Sequence, residues 1–359
     1  MTMRAVASAH FSEEIPLKTL IDWHRRQYPL MEPQDVVKLV FQAMLGCGHL
    51  LGDESIVAQR IAAEMDGLAP SPAEPLTEPL GQDYVRLNLR RAKADGLPPL
   101  WIARLMKASI PEQAHTRLDV QQAIAALGDP AATASAQRLL DEPNWLPSHT
   151  PAYHAAYAPA YRVISRRCAK ALPVLQAAAK LQENPRALIC IDGPCASGKT
   201  TLGALLQTVL DAALVPMDDF FLPHPKKTPE RLAQPGGNAD WERLVEEVLT
   251  PWLKGEPVCY HPYDCHANAL GNAVYVPDRQ FTIIEGSYSL LPAIGQHADL
   301  RVFLAVDAET QQQRILQRNG EGMLQMFIQR WIPLERVYHA AYGLPDQSCL
   351  VIPADEQLM

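Results

Sequence analysis

The sequence predicts a mostly α-helical domain over residues 1–184, followed by an α/β domain over residues 185–359 in which helices flank a parallel sheet. Apolar side chains recur at helical spacing through residues 12–180. Residues 187–318 instead alternate short β-branched runs with helical segments, as α/β domains do. A polar segment with a proline, residues 181–186, predicts a hinge. A chain of 359 residues is long enough for two hydrophobic cores.

The N-terminal half contains several helical patterns. Residues 33–45 begin with a proline suited to a first helical turn, and their apolar side chains share one face: Val36, Val40, Ala43 and Met44. Residues 119–128 and 131–140 predict two more helices, and the proline-rich residues 69–79 predict a loop. A longer helix is predicted over residues 152–181, with breaks near Pro159 and Pro173.

The last of these predicted helices contains a stripe of tyrosines. Tyr153, Tyr157 and Tyr161 are four residues apart, which predicts a stripe that packs against the α/β domain rather than a platform for a ligand.

Residues 46–52 hold one cysteine and one histidine between glycines. Two such side chains do not complete a zinc site, so a structural turn is favoured there.

The C-terminal half has a regular order of strand and helix signals. Strands are predicted over residues 187–191, 213–217, 281–284 and 300–306, and helices over residues 200–210, 241–253 and 308–318. Ligands of parallel sheets bind beyond the carboxyl ends of the strands. Gly193, Asp218 and Glu285 each follow such an end, so we expect them at one site.

The most specific motif is Gly-x4-Gly-Lys-Thr, placed between a buried strand and a helix at residues 193–200. A glycine turn there directs backbone N–H groups and a helix N-terminus at one point, which binds polyphosphate. Lys199 would reach the β and γ phosphates of ATP, and the Thr200 hydroxyl would ligate Mg²⁺. The fold class is therefore an α/β P-loop NTPase domain. Its nucleotide-binding residues are predicted to be Gly193, Pro194, Cys195, Ala196, Ser197, Gly198, Lys199, Thr200 and Thr201.

The thiol of Cys195, within this loop, is predicted to be reactive. Cys195 lies among N–H groups and near Lys199, a setting that predicts a lowered thiol pKa and a reactive thiolate. The alternative is a small apolar residue packed against the sheet.

Phosphoryl transfer to a hydroxyl group also needs an acid that accepts the proton and cations near the γ-phosphate. Asp218, at a strand end beside the loop, suits the first role, although a strand-end turn explains it as well. Glu285 could hold the Mg²⁺ shell or cap a helix. Arg314 and Arg318 share a helix face, as a lid over the triphosphate or as a solvated basic face.

Taken together, residues 187–352 resemble the uridine kinase and phosphoribulokinase branch of the P-loop kinases. The resemblance rests on the order and spacing of short segments at residues 191–201, 217–221, 238–241, 262–264, 283–286 and 313–319. It implies that Asp218 is the catalytic base and that Glu285 supports Mg²⁺. It also implies that Asp240 holds sugar hydroxyls and that Tyr263 and Asp264 line a nucleoside pocket.

The chain departs from the family pattern at two places. Uridine kinases follow Tyr-Asp with an aromatic residue and a base-reading histidine, whereas this chain has Cys265, His266, Ala267 and Asn268. His266 is therefore a substrate candidate with an altered position. The lid ends in Arg318-Asn319 where Arg-Asp is usual. The resemblance implies an ATP- and Mg²⁺-dependent kinase acting on a hydroxyl, with a nucleoside favoured and pantothenate, glycerate or a sugar phosphate as other acceptors.

A second class of function stays open, namely a nucleotide-dependent switch that acts through the helical domain. It is disfavoured because a switch needs no acceptor pocket, whereas residues 238–264 offer acids, tyrosine and histidine. Residues 259–266 also hold two cysteines and two histidines, but their spacing fits no common zinc pattern.

Composition limits the partners. A net charge of −8 argues against nucleic acid and anionic membrane surfaces. Seven cysteines without a pairing pattern indicate reduced thiols, and neither a secretory segment nor a membrane span is apparent. We therefore expect a cytoplasmic protein whose partner is a small-molecule substrate; a homo-oligomer is left open.

Overall fold

The computed structural model describes residues 16–48, 52–111, 115–142 and 144–353. The chain forms two compact units, Met1–Ala169 and Lys170–Met359. The division falls before the predicted hinge at residues 181–186, because the helix over Leu172–Ala179 contacts the sheet of the second unit. No helix of the described residues is long and apolar enough to cross a membrane.

The first unit combines short helices with a small sheet. Its helices are α1 (Leu17–Gln27), α2 (Pro33–Leu45), α3 (Glu54–Asp66), α4 (Leu89–Ala94), α5 (Pro99–Ala108), α6 (Arg117–Ala126), α7 (Pro130–Ala136), α8 (Arg138–Asp141), α9 (Pro151–Tyr157) and α10 (Arg166–Ala169). Its strands are β1 (Thr77–Leu80), β2 (Tyr84–Asn88) and β3 (Tyr161–Ser165), antiparallel in the order β1-β2-β3. This sheet was not predicted.

The long helix predicted over residues 152–181 is wrong. Helix α9 ends at Tyr157, where Ala158 adopts a left-handed conformation before Pro159. The following residues pair with β2 as strand β3 and bury Val163 and Ile164, β-branched residues that suit a sheet. Tertiary pairing therefore overrides helical spacing in this segment.

The tyrosine stripe is wrong for the same reason. Tyr153 is buried within the first unit, with its ring 5.4 Å from Tyr28 and 4.8 Å from Tyr157. Tyr161 lies on β3 rather than on the helix. In the 46–52 segment, Cys47 is buried and its thiol donates to the Met106 carbonyl at 3.3 Å, whereas His49 lies outside the described residues. Cys47 therefore has a packing role.

The second unit is built on a parallel sheet. Its strands are β4 (Ala187–Asp192), β5 (Ala213–Pro216), β6 (Val258–Tyr260), β7 (Tyr263–Asp264), β8 (Ala269–Leu270), β9 (Val274–Val276), β10 (Phe281–Glu285), β11 (Leu300–Ala305) and β12 (Leu350–Pro353). Five of these, in the order β12-β11-β4-β10-β5, are parallel throughout. The antiparallel pairs β6-β9 and β7-β8 are separate.

Helices accompany this sheet: α11 (Leu172–Ala179), α12 (Lys199–Leu210), α13 (Pro229–Leu232), α14 (Trp241–Leu244), α15 (Thr250–Lys254), α16 (Pro292–Gly295), α17 (Ala308–Met326) and α18 (Ile332–Tyr342). Strand β4 is buried at every residue, as expected for a central strand with both faces covered. A parallel sheet with flanking helices, and a glycine loop between β4 and α12, fit the predicted α/β P-loop fold.

Several predicted bounds shift. Strand β5 ends at Pro216, and Met217–Phe220 form a 3₁₀ turn. The helix predicted over residues 241–253 contains a π-helical turn at Val245–Leu249. Helix α17 runs beyond Arg318 to Met326, with a break at Gly320, whose φ of 78° is outside the helical range. The register of β10 with β4 pairs Glu285 with Ile191, which aligns the strand ends that carry the site.

Candidate active site

The loop of residues 193–198 takes a shape that requires glycine at its ends. Gly193 has a φ of 142°, and a Cβ there would lie 2.4 Å from the Leu304 carbonyl oxygen. Gly198, with a φ of 96°, immediately precedes α12. The loop therefore carries its N–H groups to the N-terminus of a helix of twelve residues, an arrangement that binds phosphate groups.

Asp192 fixes the start of this loop. Its fully buried carboxylate accepts hydrogen bonds from the N–H groups of Gly193 at 2.7 Å and Leu290 at 2.9 Å, and from the Tyr338 hydroxyl at 2.6 Å. Burial raises the pKa of this carboxyl. Sequence reasoning missed Asp192, although an acid that closes an apolar strand just before the first glycine is a visible signal.

Ser197 belongs to the loop, and Lys199, the first residue of α12, contacts it. The buried Lys199 ammonium donates to the carbonyls of Gly193 and Pro194, both at 2.8 Å. The Ser197 hydroxyl is fully buried and has no hydrogen-bond partner among the described residues. A cation held over the loop and an unpaired hydroxyl beside it fit a phosphate group.

Thr200 and Glu285 supply oxygen atoms at the edge of the loop. The Thr200 hydroxyl donates to Glu285 Oε2 at 3.3 Å. Glu285 ends β10 and is buried, and burial, followed by the charge of Asp218, raises its pKa to about 7. A hydroxyl and a carboxylate beside a phosphate loop are the oxygen ligands that Mg²⁺ takes. The residues present therefore fit Mg²⁺ with a nucleotide.

Asp218 and Asp219 follow β5 in very different surroundings. The Asp218 side chain reaches solvent, yet desolvation by the surrounding protein raises its pKa; the charge of Lys199 opposes this and the charge of Asp219 adds to it. No group of the described residues donates a hydrogen bond to it. Asp219 instead accepts a hydrogen bond from the Tyr260 hydroxyl at 2.7 Å. Of the two acids, Asp218 is the one accessible to a ligand.

The two predicted lid arginines differ as well. Arg314 is buried, and its Nη1 donates to the Ala196 carbonyl at 3.2 Å, so it is no part of a solvated face. One turn earlier on α17, Gln311 donates to the Cys195 carbonyl at 3.0 Å. Arg318 is exposed, bonds to Asn319 at 2.8 Å, and acts on the pKa of Asp218 through its charge. Helix α17 is thus docked on the loop.

Helix α18 docks on the same loop through Glu335. Its buried carboxylate accepts from the Cys195 N–H at 2.9 and 3.1 Å and from the Ser287 hydroxyl at 2.7 Å. Sequence reasoning missed Glu335. The available signal was its spacing, because Glu335 stands three residues from each of Ile332 and Tyr338, which are buried on the same helix.

These contacts overturn the expectation for Cys195. Burial, followed by the charge of Glu335, raises the pKa of its thiol to about 12, and the opposing effect of Lys199 is smaller. The side chain packs against a small apolar cluster of Ile315, Leu324 and Ile332. The predicted reactive thiolate is therefore wrong, because the loop's positive field is offset at this sulfur by burial and by an acid.

Of the four residues predicted to bind the acceptor, two are buried and two are exposed. Asp240 is buried and forms an ion pair with Lys226, at 3.1 Å. Tyr263 is buried as well, and its hydroxyl contacts Asn268 and accepts from the His224 N–H at 3.4 Å.

The two exposed residues, Asp264 and His266, lie in the turn of the β7-β8 hairpin. The Asp264 carboxylate accepts from the N–H groups of His266 at 2.7 Å and Ala267 at 3.1 Å, and both Asp264 and His266 are exposed. The structure thus gives Asp264 a turn-forming role. Over the described residues, residues 259–266 included, no three or more His, Cys, Asp or Glu side chains are grouped so that they could hold a metal ion.

Comparison with known proteins gives limited similarity. No family model matches the chain, and no curated protein matches it. A solved structure described as a possible uridine kinase from Bacillus stearothermophilus is 20% identical, with 50% of this chain and 96% of that chain covered and a TM-score of 0.39. Another, whose description proposes a fructose transport system kinase from Silicibacter sp. TM1040, is 22% identical, with 48% and 93% covered and a TM-score of 0.38. At this level of similarity, function has to be inferred from the residues of the site itself.

Proposed function

We propose that the second unit is an ATP-dependent kinase that transfers the γ-phosphoryl group to a hydroxyl of a small molecule, in the manner of uridine kinases. The observation that carries this is the environment of Asp218. It is the accessible acid beside Lys199 and Glu285, whereas its neighbour Asp219 is bound to Tyr260. A binding site for nucleotide alone does not require such an acid.

Each residue has a role that follows from its position. The N–H groups of the loop hold the triphosphate, and Lys199 offsets its negative charge. Thr200 and Glu285 would hold Mg²⁺, which when bound neutralises charge on the phosphates. Asp218 accepts the proton of the attacking hydroxyl, a task favoured by a raised carboxyl pKa. Arg318 adds a cation near Asp218.

The acceptor favoured by the resemblance is a nucleoside, but the charges around residues 226–240 support a second candidate. Asp240 is already neutralised by Lys226 and lies 3.8 Å from Arg243 Nε. Lys227 has a lowered pKa, because of burial and the nearby charge of Arg330. Lys226 and Arg243 are paired with acids, whereas Lys227 forms no ion pair with the described residues, so Lys227 favours an acceptor that carries negative charge, such as pantothenate, glycerate or a sugar phosphate.

A screen of acceptors tests the proposal. The purified protein is incubated with ATP and Mg²⁺ and with nucleosides, then with pantothenate, glycerate and sugar phosphates, and ADP is measured. We expect ADP formation that depends on one acceptor class, with the phosphorylated product visible by ³¹P NMR. Tight ATP binding without ADP formation for any acceptor would contradict a kinase and favour a nucleotide-dependent switch.

A further inference from the structure

A cavity of ≈ 310 Å³ lies within the first unit, between α2, α3, β3 and the segment of residues 148–159. Its volume is in the range of small-molecule sites. Part of its wall is apolar and buried, formed by Val57, Ile61, Met106 and Val163. This surface would contact the apolar body of a ligand.

Three cations line the same cavity, and two of them form no ion pair with the described residues. Arg162 forms an ion pair with Glu64 at 2.6 Å. Lys38 donates to the Pro147 carbonyl at 3.2 Å, and no carboxylate of the described residues forms an ion pair with Lys38 or Arg60. With Glu64 and the buried Asp35 carboxylate counted, the cavity has an excess of about one positive charge, in a chain whose net charge is −8.

A fixed polar chain that includes His149, Tyr161 and Gln42 forms another part of the wall. His149 lies 2.8 Å from Asp35 Oδ1 through Nδ1 and 2.7 Å from the Tyr161 hydroxyl through Nε2. The Tyr161 hydroxyl donates to Gln42 at 3.1 Å. The His149 ring also stacks on Tyr153 at 4.0 Å, so its orientation is held from two sides.

A buried polar chain is stable when its charged member is well partnered. Asp35 is fully buried, and its carboxylate accepts from the N–H groups of Glu32 and Thr150, accepts from the Thr150 hydroxyl and contacts His149. These contacts hold His149 and the groups bonded to it rigidly at the wall of the cavity, where polar atoms can orient a ligand.

We propose that the first unit binds a small organic anion in this cavity, with a carboxylate or phosphate group near Lys38 and Arg60 and an apolar body against the buried wall. Burial, followed by the charge of Arg86, lowers the pKa of Lys38 to about 8, and the charge of Asp35 opposes this only in part. A bound anion would add a second opposite charge beside this ammonium. The site is separate in sequence from the phosphate loop.

Benzoate and phenyl phosphate test this with two head groups on one apolar body. Binding is measured by isothermal titration to the full-length Lys199→Ala protein, in which the phosphate loop no longer competes for anions. We expect saturable binding of one or both at millimolar concentration or below, and at least tenfold weaker binding of benzyl alcohol. Binding of benzoate alone would identify a carboxylate site, and binding of phenyl phosphate alone a phosphate site.

Variants locate the site. In the same background, Lys38→Met should weaken the binding at least tenfold and Arg60→Gln about threefold, whereas Lys18→Met, an exposed lysine of α1, should leave it unchanged. Arg60 is exposed and forms no ion pair in the described part of the chain, so Arg60→Gln remains informative if Lys38→Met misfolds. Absence of saturable binding below 10 mM, or affinities that neither cavity variant reduces, would overturn the proposal.

Discussion

Two adjacent carboxylates, Asp218 and Asp219, show how neighbouring residues of one type acquire different roles. The Tyr260 hydroxyl donates to the Asp219 carboxylate, and the Asp219 backbone carbonyl accepts from Arg243 at 2.7 Å. These contacts tie Asp219 to the surrounding structure. Asp218 is left exposed to solvent, and its raised pKa suits proton transfer.

Asparagine at each position separates these roles. Asp218→Asn keeps the side-chain shape but cannot accept a proton, so kcat should fall by roughly 10²–10⁴ with the Kd of ATP little changed. Asp219→Asn should leave kcat within about tenfold and mainly lower stability, by about 1 kcal/mol. Steady-state kinetics and thermal unfolding measure both. A larger loss of kcat in Asp219→Asn would show that the base is assigned to the wrong acid.

Lys38 gives a second test at this scale, through the pH dependence of stability. Its pKa falls from the usual 10.5 to about 8 in the folded protein. Between these values the unfolded chain binds more protons, so the stability of the native state should rise with pH. Relative to Lys38→Met, the wild type should gain roughly 1–3 kcal/mol from pH 8 to 10 in urea unfolding. Parallel pH profiles would show that Lys38 is not desolvated.

The sequence predicts some site residues much better than others. The phosphate loop could be predicted because glycine spacing determines its backbone locally, as the close approach of Gly193 to Leu304 illustrates. Glu335 could not, because it contacts Cys195 from a position 140 residues later in the chain. The thiol pKa of Cys195 was mispredicted for the same reason, since the acid that raises it was not visible.

At the scale of elements, α17 and α18 both dock on residues 195 and 196 of the loop. Gln311 and Arg314 donate to the loop carbonyls, and Glu335 accepts from the Cys195 N–H. The two helices therefore hold the loop in one conformation. This arrangement also places the buried carboxylate of Glu335 beside the loop that is proposed to bind phosphate.

Neutralising that acid should strengthen nucleotide binding. In Glu335→Gln the amide oxygen can still accept from the Cys195 N–H, but the repulsion between a buried negative charge and phosphate is gone. We expect the Kd of ATP to fall by roughly 3–10-fold, measured by isothermal titration. Glu321→Gln, an exposed acid on α17, is the control and should have no effect. Weaker ATP binding in Glu335→Gln would show that the charge itself supports the site.

Sequence patterns predicted correctly those elements that are buried on all sides. Strand β4 is buried on both faces, and its apolar run predicted it. The prediction for the segment after α9 was wrong. Its apolar residues have helical spacing, but the segment pairs as β3 with strand β2, which lies more than 70 residues earlier in the chain. Local spacing contains no information about such a partner.

For the whole molecule, the division at Ala169 predicts which fragment folds. Helix α11 belongs to the second unit and buries Val174, Leu175 and Ala178 completely. A fragment of residues 170–359 should therefore fold and bind ATP within about threefold of the full chain. A fragment of residues 186–359 lacks these side chains, whose burial is worth several kcal/mol, and should melt at least about 10 °C lower. Equal melting temperatures by circular dichroism would show that α11 is dispensable.

The central claim is that the loop around Lys199 binds ATP for catalysis, and Lys199→Ala tests it most directly. Isothermal titration with Mg-ATP and an assay of acceptor-dependent ADP formation are made on wild type, on Lys199→Ala and on the control Lys254→Ala, an exposed lysine of α15. We predict that Lys199→Ala remains folded, binds ATP at least about tenfold more weakly and has no measurable turnover, because the cation near the phosphates is lost. Lys254→Ala should match the wild type. A folded Lys199→Ala protein with wild-type affinity and rate would contradict the account.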